Sequence, residues 1–157
     1  MEDTNRFIHL TNDAVQMQSP DYGRFECGNK LTYENFQKVL KGRANFSRDM
    51  LPRMKRIVKD TIIAVYKKME MSQSFEILGY DFLVDSEFKV WLLEVSSNPC
   101  LETNSPVLSK IIPAMVENSL RIALDPMFHV PTKVKSGSNQ RFFENRYELI
   151  FHSKNIN

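Results

Sequence analysis

The chain has 157 residues and a mass of 18.4 kDa, 42% hydrophobic and 25% charged, proportions that suit one globular domain or part of one. A formal net charge of only +2 gives no global pull toward nucleic acid or membrane, and no apolar run approaches the roughly eighteen residues of a spanning helix. Cys27 and Cys100 lack metal-ligand spacing and read as reduced thiols of a cytoplasmic protein, and the N-terminal MEDTNRF has no signal-peptide core.

In chain order, RFIHL at 6–10 reads as a short strand that delivers Thr11 and Asn12 to a loop. Unaided, such a Thr–Asn pair is a turn or a cap, and His9 alone is a structural histidine. The turn-rich stretch SPDYGRFECGN at 19–29 crosses the surface as a loop. A helix then starts at Thr32, a good N-cap, with Leu31 and Phe36 placed as a hydrophobic staple. Tyr33, Phe36, Val39 and Leu40 make its apolar face, and Gly42 suits the left-handed position past its end. A longer helix is expected from about Pro52 to Glu70, with Met54, Ile57, Val58, Ile62, Val65, Tyr66 and Met69 recurring at helical spacing. Its outer side carries Arg53, Lys55, Arg56, Lys59, Lys67 and Lys68. Two readings stand for that side: a solvated helix face, or a surface that attracts acidic segments.

The stretch Phe75–Leu101 contains two apolar runs flanking a polar break at Asp85–Phe88, which predicts a β-hairpin. A uniform register sets Asp81 opposite Glu94. Alternation then assigns Asp81, Leu83, Val90, Leu92, Glu94 and Ser96 to one face, and Tyr80, Phe82, Val84, Trp91, Leu93 and Val95 to the other. Both faces are largely apolar, so an interior hairpin is expected. Two carboxylates opposed in such a place repel each other and carry a desolvation cost. A shared hard cation such as Mg²⁺ removes both problems; basic partners or a solvated sheet end are the alternatives. The spacing is not that of an EF-hand calcium loop.

A last helix is expected over Ser105–Asp125, capped by Ser105 with Pro106 in first position. Its apolar side runs from Val107 to Leu124, and Pro113 should kink or split it. Beyond it come a polar linker at 133–140 and an amphipathic stub, RFFENRYELIF at 141–151. The stub either packs back on the domain or docks a partner.

Several of these segments, in order, carry a resemblance. HLTN at 9–12, GNKLTYENFQKVL at 28–40, and GYDFLVD, SEFKVWLLEV and SSNPCL across the hairpin resemble the C-terminal catalytic half of the tubulin–tyrosine ligase-like family. The resemblance covers roughly residues 6–128, and the division expected is 1–128 as domain and 129–157 as linker and tail. It implies an α+β fold, the C-terminal portion of an ATP-grasp domain, with an antiparallel hairpin sheet packed by helices. It further implies an ATP-dependent ligase that joins an amino acid to tubulin through an acyl-phosphate, by polyglutamylation, glycylation or tyrosination. Asp81 and Glu94 would hold Mg²⁺ with Asn12 and Ser96 beside them, and Thr11 and Asn12 would contact ATP. The implied partner is tubulin through its acidic C-terminal tails, and the implied location the cytoplasm, with microtubules or cilia.

The family pattern at the end of the second strand is Glu–Val–Asn, whereas this chain has Glu94–Val95–Ser96. A hydroxyl is a poorer neutral metal ligand than an amide carbonyl, and Asn98 is the nearby substitute. The lysines and adenine strand that grip ATP in this family lie upstream of HLTN, and only eight residues precede His9. The expectation is therefore a chain carrying the metal-binding half. A non-catalytic tubulin- or partner-binding module stands beside the ligase as the second reading.

Overall fold

The computed structural model describes residues 4–69, 74–128 and 146–155. Five α-helices and one hairpin make up its main elements: α1 Arg6–His9, α2 Asp13–Gln16, α3 Tyr33–Val39, α4 Leu51–Val65, β1 Gly79–Val84, β2 Val90–Ser96 and α5 Pro106–Leu124. Helix and strand together make the α+β class expected. The segment expected as a strand at 6–10 is instead the single helical turn α1. Asn5 caps it by accepting the Phe7 N–H at 3.0 Å, and this local bond favours a helical start over an extended one.

The start of α3 follows its residues, with Thr32 Oγ1 accepting the Asn35 N–H at 3.2 Å. Its end is shifted by one residue: Lys41 already takes a left-handed φ of 47°, and Gly42 follows at 78°. A π-helical turn at Phe46–Met50 then feeds α4. Asn45 caps that turn through Arg48 N–H, and Gln37 braces it by accepting from the Phe46 N–H and donating to the Ala44 carbonyl. Pro52 sits in the first turn of α4, where its missing N–H costs nothing. The α-helix ends at Val65 and tightens into a 3₁₀ turn at Tyr66–Lys68; Glu70 lies outside the described residues.

The core forms where these pieces meet the hairpin. Leu40, Ala44, Phe46, Met50 and Val90 are buried together, Met50 completely, with Phe36, Leu51, Met54, Ile57, Phe82, Val84 and Phe88 packed around them. Tyr33 stacks on Phe46 at 4.3 Å between ring centroids, so its exposed ring still shields the core.

The hairpin is antiparallel, and its register carries one correction. Gly79 pairs with Ser96, Tyr80 with Val95 and Asp81 with Glu94, as a uniform register requires. Between Asp81 and Phe82 the pairing slips by one residue, so Phe82 faces Leu92, Leu83 faces Trp91 and Val84 faces Val90. Leu93 is the extra residue of a β-bulge. Beyond it, every β2 side chain changes face relative to the expectation. Val90 and Leu92 join Phe82 and Val84 on the covered side, and Trp91 joins Asp81 and Leu83.

That second side is open, which corrects the expectation of an interior hairpin. Leu83, Trp91 and Leu93 are 43%, 46% and 58% exposed, and Asp81 and Glu94 are exposed with them. Helix α5 is one continuous element despite Pro113, not two. Ser105, buried, caps it by accepting the Leu108 N–H. The linker at 133–140 and the first part of the stub lie outside the described residues. Residues 146–151 pack back: Tyr147 on α5, Glu148 on Lys55 near the start of α4, and Phe151 on Tyr66 just past its end.

Candidate functional site

The hairpin brings the two predicted carboxylates together. Asp81 and Glu94 are direct cross-strand partners, which places their Cβ atoms about 5 Å apart. Among the described residues neither forms an ion pair with a basic side chain. Both are exposed, so the desolvation cost expected of a buried pair does not arise. Like charge facing like charge remains. Two opposed carboxylates open to solvent fit a hard divalent cation that keeps places for water and phosphate oxygens. Among the described residues no third His, Cys, Asp or Glu gathers with them. A further ligand from the described residues would thus be a hydroxyl, an amide or a carbonyl.

Ser96 stands two positions beyond Glu94, opposite Gly79. Its Oγ accepts the Asn98 N–H at 3.2 Å, closing a tight turn that brings Pro99 back over β1. A Cβ on Gly79 would stand 3.0 Å from the Pro99 Cβ and 3.9 Å from the Ser96 Cβ, so glycine is what lets this turn close. The hydroxyl keeps acceptor capacity beyond that one bond. Asn98 contributes its backbone to the turn and its side chain is exposed.

Thr11 and Asn12 sit on a different element. Both are exposed in the turn between α1 and α2, and Asn12 Oδ1 caps α2 by accepting the Ala14 N–H at 3.0 Å. No hydrogen bond or ion pair among the described residues joins them to Asp81 or Glu94. The position of the turn is set by its neighbour Asp13, which accepts from the Tyr22 hydroxyl at 3.2 Å and pairs with Lys30 at 3.0 Å. Burial and the Asp13 carboxylate together raise the Tyr22 pKa. Lys30 also donates to the Gly28 carbonyl, and Gly28, at φ 67°, leaves only 3.3 Å between a would-be Cβ and Ser105 Cβ. A chain of contacts thus runs from the Thr11–Asn12 turn through the 22–30 loop to the start of α5. None of it is visible in residue spacing, because it joins segments more than seventy residues apart in sequence.

The hairpin tip is held by Asp85. Its Oδ1 accepts the N–H groups of Glu87 and Lys89, and its Oδ2 accepts Trp91 Nε1–H at 2.8 Å. The indole bond above all, with the backbone donors behind it, holds the Asp85 carboxyl below the usual carboxylate range. Lys89 lies 3.6 Å from the centroid of the Trp91 ring, so the indole is fixed at its edge and capped on its face. Arg43 stacks over Phe88, and Phe88 itself takes a left-handed φ of 63° to close the tip. Residue pattern alone makes Asp85 part of a polar break; its signal in the sequence is an acid six residues before the only tryptophan.

Comparison with known proteins identifies the family. The tubulin-tyrosine ligase family model covers residues 1–135. Rat "Protein polyglycylase TTLL10" is 35% identical over 127 residues, 74% of this chain and 19% of the relative. "Tubulin glycylase 3B" of Tetrahymena thermophila is 26% identical over 151 residues, 94% of this chain and 12% of the relative. Human "Inactive polyglycylase TTLL10" is 35% identical over 128 residues, again 74% of this chain and 19% of the relative. The chain spans a fifth or less of the length of these relatives. With the family model matched over most of its residues, the chain belongs to the tubulin-tyrosine ligase family.

Proposed function

We propose that the chain is the metal-binding part of an ATP-dependent ligase that joins an amino acid to tubulin, within an ATP-grasp domain. The observation that carries this reading is the Asp81–Glu94 pair, two opposed carboxylates with no basic partner among the described residues, in a member of this family. Asp81 and Glu94 would hold Mg²⁺, with Ser96 on the same strand as a neutral neighbour; Asn12, from the α1–α2 turn, would be a second neutral ligand, with Thr11 beside the nucleotide. When bound, Mg²⁺ neutralises phosphate oxygens of ATP and fixes their position. The residues of this chain orient; none acts as a nucleophile. On this reading the exposed cations of α4 would attract the acidic C-terminal tails of tubulin, and the location it implies is the cytoplasm, at microtubules or cilia. Relatives named for glycylation make glycine the first amino acid to test, ahead of glutamate and tyrosine.

The test uses the protein isolated from its own cells with an antibody to residues 146–155. Incubated with ATP, Mg²⁺, tubulin and labelled glycine, it should label tubulin, and Asp81→Asn or Glu94→Gln should abolish labelling. Failure to transfer glycine, glutamate or tyrosine sinks the ligase reading. It would leave a non-catalytic tubulin-binding module, which two observations favour as the second reading. Ser96 stands where the family pattern has Asn, and the human relative named inactive is as similar as the rat one named a polyglycylase. If Ser96→Asn creates activity where there was none, the hydroxyl is the reason.

A further inference from the structure

The segment Arg146–Phe151 lies across two helices. Tyr147 anchors it to α5, its hydroxyl 2.6 Å from Ser119 Oγ and within reach of the Met115 carbonyl. Glu148 forms an ion pair with Lys55 near the start of α4, and Phe151 packs on Tyr66 just past its end, with ring centroids 5.5 Å apart. Lys55, Lys59, Ile62 and Tyr66 follow one another at helical spacing and so form a single stripe along α4. Lys55 and Tyr66 are three turns apart, about 16 Å. Glu148 to Phe151 spans about 10 Å extended, and the length of the Lys55 side chain and the ring contact take up the rest. The strap therefore runs along the stripe, in the same direction as the helix, an acid at one end and an aromatic at the other. This is the stripe on which an extended acidic peptide would lie, with its carboxylates on Lys55 and Lys59.

We propose that residues 146–151 are an intramolecular competitor for acidic peptides on this stripe of α4: docked, the strap takes Lys55 and Tyr66; released, it yields them. The inference rests on the reading that the basic side of α4 receives acidic segments, and goes beyond it by assigning a built-in occupant. The strap's hold is modest by construction. On α4, among the described residues, it has one ion pair, more than half exposed on the Glu148 side, and a single aromatic ring pair; the Tyr147 anchor lies on α5 and leaves the stripe free. Such a strap is displaced by a polyvalent acidic ligand and leaves the fold standing.

The probe is a fluorescent oligoglutamate, titrated onto the full chain at low and high salt, with hydrogen exchange read over 146–151. Freeing the strap with Glu148→Gln and Phe151→Ala together should raise exchange there and tighten oligoglutamate binding about three- to tenfold. A synthetic peptide of residues 146–155 added to that variant should compete with the probe. If exchange rises and affinity does not change, while Arg53→Glu, Arg56→Glu and Lys59→Glu still weaken binding, the strap is no competitor and only the basic face survives. If exchange does not rise, these contacts do not hold the strap and the inference falls. If no form of the chain binds oligoglutamate in a salt-sensitive way, the inference and the basic-face reading fall together.

Discussion

Replacing Asp81 by Asn, or Glu94 by Gln, should change the sign of its effect when Mg²⁺ is added. Without metal, the cost of the wild-type pair is Coulombic. Two unit charges about 5 Å apart at a solvent-exposed site repel by about 0.8 kcal/mol in water, and by about half that at physiological salt. Neutralising either one should thus raise the melting temperature by about 1–2 °C. With Mg²⁺ at about ten times its Kd, the wild-type chain gains about 1.4 kcal/mol from linkage, or about 3–6 °C. Either variant should lose most of that gain, because a single carboxylate on an open strand holds Mg²⁺ weakly. Thermal unfolding of the three chains with EDTA and with Mg²⁺, scanned against Ca²⁺ and high salt as controls, reads both halves. Equal Mg²⁺ shifts in all three chains would refute the reasoning, as would a wild-type chain indifferent to Mg²⁺.

Met50→Ala empties the centre of the core, where Met50 is fully buried beside Phe46, Leu40 and Val90; urea unfolding should show a loss of about 2–5 kcal/mol, and a loss under about 1 kcal/mol would mean the core lies elsewhere. Ser105→Ala should cost about 1 kcal/mol by uncapping α5, while Ser105→Asp should restore part of it. Acid unfolding reports two carboxylates. Arg48 and the Asn45 N–H lower Asp49 to about 2, and Trp91 with two backbone N–H groups lowers Asp85. A lowered folded pKa contributes stability that is complete above the ordinary carboxylate range and is lost as pH falls from there through the folded value. Asp49→Asn should flatten the stability profile between about pH 4 and 2, Asp85→Asn should flatten it below the ordinary carboxylate range, and both should leave its slope above about pH 5 unchanged. Gly79→Val should disturb the Ser96–Pro99 turn, read as lost dispersion of the Pro99 and Ser96 signals in NMR spectra, because a side chain there meets Pro99.

What could be read from residues alone was whatever depends on near neighbours. Thr32, Ser105 and Pro106 mark their helix starts because capping is a bond within one turn. The hairpin and the Asp81–Glu94 pairing follow from two apolar runs of matching length. Phe7 and Ile8 at the N-terminus suggested a strand, and a single cap bond from Asn5 decided otherwise. The bulge at Leu93 has no residue signature: leucine suits a regular strand equally well, and only the pairing reveals the extra residue. The open face is not legible in the sequence for a different reason. Alternation tells which side chains share a face, and what covers that face is settled by distant parts of the chain. The strap is the extreme case, since Glu148 meets a lysine 93 positions earlier.

The open face of the hairpin also bears on how this chain behaves in company. Among the described residues the two-stranded ribbon has an unpaired edge on each side, and exposed Leu83, Trp91 and Leu93 give it an adhesive surface between them. Stacking two such ribbons face to face would gather four carboxylates from Asp81 and Glu94, and that repulsion keeps the molecules apart. The same pair is therefore a colloidal safeguard. Concentrated solutions should stay clear in EDTA and turn turbid when divalent cations or the Asp81→Asn and Glu94→Gln changes remove the charge.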